Sequence, residues 1–317
     1  MEFQGRAFYN LLQINYLEDP SLDVERWQIE DYRNFETARL FGSLEELGIS
    51  LDERSFCDHA NECATPEELF EVLTDAPDDR PYLLIFELWR RLIKDEQPLS
   101  IFCDELDYLC LLYDLDKLEN SDLLFEKFEE LESIVDDSFD EGLSEEEIWD
   151  SLKPYLAHDL ETFLFDYCLD LLDEGLFTEV SELIGGFHSY VHDKRRFDFL
   201  LLPLLFETDE SEAEIMAERL IEELTEEPDL ELLFELLRLS ASATESDLFL
   251  EVFNVAKTQA SNEADLRELA EIVCDYLNFN DYEKDEQQLR KILGERPIKS
   301  TDLTYIEQIV ADKFESV

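Results

Sequence analysis

The sequence predicts an all-α protein: a solenoid of helical pairs repeating about every 35 residues, preceded by an N-terminal helical subdomain. Three observations carry this. Gly 8 and Pro 9 among 317 residues leave too little turn-forming punctuation for an all-β fold. Long stretches place apolar residues three and four apart, the spacing of one helix face. The tetrapeptide DEGL occurs at Asp140–Leu143 and again at Asp173–Leu176, so a scarce glycine returns in the same setting about one repeat length later.

Taken in order, residues 1–75 contain LDVERWQIEDYRNFETARLFGSLEELGI, helical without an evident repeat, and are expected to form a capping subdomain. The stretch APDDRP (76–81) is a corner that separates it from a solenoid over 76–317. RPYLLIFELWRRLI (80–93), LSIFCDELDYLCLLYDL (99–115) and SDLLFEKFEELESIV (121–135) are amphipathic or largely buried helices with short corners between them. From residue 140 the pitch is clearest. Units begin near Gly175, Glu210, Glu245 and Asn280, and each holds a second apolar run: FDFLLLPLLF, DLELLFELLRL, DLRELAEIVCDYL and DLTYIEQIVADKF. Gly142 and Gly175 are expected to end one helix in a left-handed turn, which glycine enters without a Cβ clash. Ser144 with Glu147, Thr65 with Pro66 and Glu68, and Ser211 with Glu214 have the spacing of capping boxes, where side chains satisfy the free amides of a first turn.

At GLFTEV and NDYEKD the chain resembles the corner between the paired helices of a tetratricopeptide repeat. Gly175 and Phe177 hold the small and aromatic places in one copy, Asn280 and Tyr282 in the other. The resemblance covers about residues 140–317. The family's leading Trp-x-x-Leu-Gly pattern is absent, and Val180 and Asp285 stand where it usually has alanine. It implies a right-handed solenoid of helical pairs with a concave protein- or peptide-binding face.

Asp+Glu 82 against Lys+Arg 25 give a formal charge of −57. Nucleic acid and anionic membranes are repelled by such a surface, because binding them requires cations that displace counterions. The expected partner is a basic protein or peptide segment, with no direct nucleic-acid or membrane binding; high charge also keeps a protein soluble whatever its partners. MEFQGRAFYNLL lacks a basic segment followed by an apolar run, and FLLLPLLF (199–206) is too short to span a bilayer, so a cytoplasmic protein is expected. Cysteines 57, 63, 103, 110, 168 and 274 fall within apolar helical patterns, as reduced core thiols do.

The densest acidic stretch is DDSFDEGLSEEEIWD (136–150). Asp136, Asp137, Asp140, Glu141, Glu145, Glu146 and Glu147 are the candidate partner-binding residues; the plainer account of any such run is a solvated corner. A second acidic stretch lies between Glu207 and Glu231. WRR (89–91) and HDKRRF (192–197) are the compact basic spots, expected to neutralise nearby carboxylates.

Catalytic, cofactor and metal sites are not expected. His188 and His192 stand four apart, a spacing that puts both rings on one helix face, but they lack a third ligand and do not form HExxH. Cys57, His59 and Cys63 lack a second cysteine pair, and Cys103 and Cys110 share a buried stripe. No glycine-rich phosphate loop and no G-x-S-x-G occurs, and carboxylate pairs are too common to mark an acid/base dyad. The leading functional reading is a non-catalytic acidic scaffold or adaptor. The alternative is a nucleic-acid mimic. Nine helical pairs advancing about 10 Å each would carry about 0.6 charges per Å, near duplex DNA at one per ~1.7 Å. An enzyme with an unrecognised site ranks behind both.

Overall fold

The computed structural model describes residues 3–74, 78–94, 97–242 and 246–295. Its regular structure is helical, with no strand among the described residues. By compactness the chain divides into two units, residues 1–167 with 189–192, and residues 168–188 with 193–317.

The first unit holds α1 (Ala7–Glu18), α2 (Thr37–Glu46), α3 (Glu53–Ala60), α4 (Pro66–Leu73), α5 (Arg80–Leu92), α6 (Leu99–Asp114), α7 (Asp122–Asp140) and α8 (Glu145–Leu152), with short 3-10 turns at Arg26–Gln28, Tyr32–Asn34 and Lys153–Tyr155. α9 (Leu160–Asp173) runs across the division. α5 is central to the first unit. Every residue from Pro81 to Trp89 is buried, and α2, α3, α4 and the Tyr32–Asn34 turn pack on it. One apolar core joins Tyr9, Leu40, Phe56 and Leu69 with Leu83, Phe86 and Ile101, so residues from both sides of the expected 1–75 boundary share it. The 76–81 corner lies inside this unit, and residues 76 and 77 lie outside the described residues.

The second unit holds α10 (Phe177–Phe187), α11 (Lys194–Thr208), α12 (Glu210–Glu226), α13 (Leu230–Ser242), α14 (Ser246–Gln259), α15 (Glu263–Phe279) and α16 (Glu283–Glu295). Helices α10, α12, α14 and α16 start within about three residues of the predicted unit starts. Helices adjacent in sequence pack together through most of the unit, and alternate ones also touch: α11 on α13, α13 on α15, α12 on α14. The run DLTYIEQIVADKF lies outside the described residues. Cys103, Cys110, Cys168 and Cys274 are buried; burial pushes the Cys168 thiol up to about 12 and that of Cys274 to about 11, which keeps both protonated and unreactive. No helix among the described residues is long and apolar enough to cross a membrane.

The helix ends follow local chemistry closely. Gly142 and Gly175 have φ of 100° and 77°. At each, two amides turn back onto the helix: Gly142 to Phe139 and Leu143 to Ser138, Gly175 to Leu172 and Leu176 to Leu171. This is the Schellman arrangement expected of a glycine stop. The same pair of bonds recurs at Asp116 and Asp281, which adopt positive φ without being glycine. The left-handed residue of the last corner is therefore Asp281 and not Asn280, one residue later than the repeat alignment placed it; a short acidic side chain tolerates this conformation better than most. Thr65 and Ser144 cap α4 and α8 as expected. Ser211 does not cap α12. Asp209 does, accepting from the Glu212 amide at 3.2 Å, and Ser211 falls in the first turn.

Candidate partner-docking corner

The seven predicted carboxylates come together where α7 ends and α8 begins. Asp136, Asp137 and Asp140 occupy the last turn of α7, which contains no basic residue. A helix C-terminus carries partial negative charge, so acids there are placed against the local field. Glu145, Glu146 and Glu147 occupy the first turn of α8, where the field favours them. Six of the seven side chains are exposed and Glu145 is half-buried.

Two of the seven have structural tasks. Glu147 closes the capping box: its carboxylate accepts from the Ser144 amide at 3.0 Å and hydroxyl at 2.8 Å, which holds it below the usual carboxylate range. Asp136 accepts from the Tyr190 hydroxyl at 2.9 Å. Burial, then this bond, pushes the Tyr190 phenol up to about 12. Among the described residues, none of the seven forms an ion pair with lysine or arginine.

Two apolar side chains sit among these charges. Phe139 is 50% exposed and Leu143 46%. A Schellman stop usually packs the residue after the glycine onto the helix one turn back. Here that position is Ser138, preceded by Asp137, so Leu143 has no apolar partner in the motif and remains in solvent. The corner thus presents apolar surface ringed by unneutralised carboxylates. It can seat an apolar anchor and attract flanking cations.

Beside it, Glu146, Asp150 and His192 bring potential ligand atoms within 4.8 Å of one another, all exposed. Lys153 already donates to Asp150 at 2.7 Å and stands 3.4 Å from His192 Nε2. A bound ion would have to displace that ammonium, so the group is better matched to a lysine than to a metal. The expected helical pairing of His188 with His192 does not form. α10 stops at Phe187, His188 lies at its end against Asp198 at 2.8 Å, and His192 lies beyond the helix near Asp150 and Glu161. Four-residue spacing aligns side chains only while the helix continues.

The basic spots neutralise carboxylates. Arg90 and Arg91 both bind Glu87, Arg195 binds Asp193, and Arg196 binds Asp229 and Glu231.

Sequence reasoning passed over a buried polar lock in the first unit. Asp104, 1% exposed, accepts from Asn10 at 3.0 Å and from Arg33, with Arg6 Nε at 3.9 Å. Burial alone would raise this carboxyl, but Arg33 and Arg6 hold it below its ordinary range. Asp107 accepts from Asn10 at 3.2 Å, from the Ala157 amide at 2.7 Å and from His158 Nδ1 at 2.9 Å. Glu87 anchors Arg91, whose guanidinium also donates to the carbonyls of Tyr32, Arg33 and Phe35. The lock ties α1, the Tyr32–Asn34 turn, α5, α6 and the chain before α9 together. Only the apolar setting of Asp104 and Asp107 within IFCDELDYLC could have pointed to them. Comparison with protein-family models, with curated proteins and with solved structures finds no match for this chain.

Proposed function

We propose that the protein is a non-catalytic binding module, a helical-repeat scaffold whose acidic α7–α8 corner docks a basic segment of a partner protein. The observation that carries this reading is the corner itself: seven carboxylates without a lysine or arginine partner among the described residues, around exposed Phe139 and Leu143. Leaving so many like charges unscreened opposes folding locally, and a cationic ligand relieves that repulsion. The alternate-helix packing of α11, α13 and α15, and of α12 with α14, supports a stack of helical pairs for the rest of the chain, in the manner of tetratricopeptide-like solenoids.

The test compares wild type with a variant carrying Asn or Gln at Asp136, Asp137, Asp140, Glu145, Glu146 and Glu147, against a partner captured from native lysate and then purified. Neutralisation should mainly slow association, whereas Phe139→Ser with Leu143→Ser should speed dissociation, because exposed charges steer encounter and buried anchors hold the complex. Raising salt from about 50 to about 500 mM shortens the Debye length from about 14 to about 4 Å and should weaken binding. Affinity flat in salt, together with wild-type association by the neutralised variant, would remove the corner from the function. Capture of a nucleic-acid-binding protein in competition with its nucleic acid would favour the mimic instead.

A further inference from the structure

Apart from the corner, the first unit contains a cleft of about 380 Å³, within the range of small-molecule sites. One face of α2 supplies one wall, since Arg39, Gly42, Ser43 and Glu46 follow the three- and four-residue spacing of a helix stripe. Arg80 and Leu84, one turn apart at the start of α5, form another, and Glu30, Tyr32 and Phe35 complete it from the chain between α1 and α2.

The charges are unusual for this molecule. Two guanidiniums and two carboxylates converge in a chain of formal charge −57. They are poorly satisfied by one another. Arg39 is 60% exposed and stands 3.7 Å from Glu30, which also lies 3.9 Å from an exposed Arg26; Arg80 interacts with the Tyr32 hydroxyl, and neither Arg80 nor Glu46 has an ion pair among the described residues. An exposed pair at that distance contributes little to the fold, so a ligand that replaces it costs little. The site is also held in shape. Arg91 donates to the carbonyls of Tyr32 and Phe35, fixing the backbone of the floor, and Arg39 lies over the Phe35 ring at 3.4 Å. Gly42 is exposed, and a Cβ built there meets nothing within 4 Å, so this wall is open.

We infer that this cleft binds a small zwitterion, an α-amino acid. Its carboxylate would lie between Arg39 and Arg80 and its ammonium against Glu30 with Glu46 nearby, leaving its side chain toward the open wall at Gly42. The 3.7 Å between Arg39 and Glu30 suits a ligand that carries both charges on one carbon. A simple anion would leave the two carboxylates repelling it, and a simple amine would leave the two guanidiniums doing so.

The experiment is isothermal titration calorimetry of the full chain with L-phenylalanine and L-leucine, alongside phenethylamine and 3-phenylpropionate, which each lack one charge. At least one of the amino acids should bind saturably, about tenfold or more tighter than either analogue. Arg39→Gln and Glu30→Gln should each abolish that advantage. Gly42→Phe, which leaves every charge in place, should block binding while the far-UV circular dichroism and melting temperature hold. No saturable binding of either amino acid up to about 10 mM would overturn the inference. So would equal affinity for 3-phenylpropionate, unchanged discrimination in Arg39→Gln, or wild-type affinity in a folded Gly42→Phe. None of these results depends on the acidic corner, whose test reads partner kinetics.

Discussion

The two units bury different things. Among the described residues, every buried charged side chain belongs to the first unit: Arg6, Glu87, Asp104 and Asp107. In the second unit the buried polar residue is Ser240, whose hydroxyl bonds back to the Leu237 carbonyl. Its interior is otherwise apolar, with Leu220, Leu233, Leu237, Phe249, Phe253 and Leu269 fully or almost fully covered. One unit adds specific buried charge partners to its apolar core, whereas the other relies on periodic apolar faces. The contrast implies that the first should be intolerant of losing one partner, and the second should respond mainly to lost volume.

The largest expected effect follows from Asp104→Ala. It strands Arg33 and Arg6 without their carboxylate, and breaking a buried pair costs about 3–5 kcal/mol. Denaturant unfolding should show a loss of that order, with hydrogen exchange accelerating in α1, α5 and α6. Arg6→Met should cost far less or stabilise, because Arg6 Nε and Nη1 have no hydrogen-bond partner among the described residues and Asp104 keeps Arg33 and Asn10. Equal losses in the two variants would break the idea of a lock organised around Asp104.

Leu237→Ala in the second unit should cost about 2–5 kcal/mol by leaving a cavity. Protection should fall in α13 and its neighbours α14 and α15, as read by peptide-resolved hydrogen exchange. A loss under about 1 kcal/mol would show that this interior is loosely packed. Gly175→Ala is a smaller change, since φ of 77° costs a residue with a Cβ about 1–2 kcal/mol. The same substitution at Gly185, inside α10 with open space for a Cβ, should stabilise by about 0.5–1 kcal/mol. The pair of melting temperatures should therefore move in opposite directions.

The smallest effect concerns acid. Asp104 is held below its ordinary value in the fold, so the unfolded chain takes up its proton first. Its contribution is complete above about pH 4 and is lost as pH falls toward the folded value. In the second unit, burial raises Glu235, with Arg238 opposing and Glu268 reinforcing. The folded form there takes up the proton first, so this group favours folding as pH falls through its raised pKa. Exchange measured from pH 6 to pH 3 should show α6 losing protection that Asp104→Asn alters, and α13 losing less than a Glu235→Gln control. Matching profiles in wild type and both variants would place the acid response in general surface charge.

The difference between the units also explains what could be read before the structure was seen. In the second unit, the helix starts, the stop at Gly175 and the described apolar runs are set by neighbours within a turn or two, and they lie close to where the spacing put them. The misplacements are local competitions: Asp209 lies two residues before Ser211 and captures the Glu212 amide of the first turn, and Asp281 rather than Asn280 turns left-handed. The acidic corner was legible as composition. That Leu143 remains exposed depends on which residue stands at the preceding turn of the same stop.

By itself the sequence determined the helical class, the stops at Gly142 and Gly175, and the charge, because each depends on short-range backbone preference or on counting. Tertiary structure alone decided which charges are buried and which carboxylates stay unneutralised. Asn10 meets Asp104 across 94 residues of chain, and Arg91 reaches the Phe35 carbonyl across 56. A charge enters an interior only where partners from distant segments satisfy it, and no local periodicity records that condition.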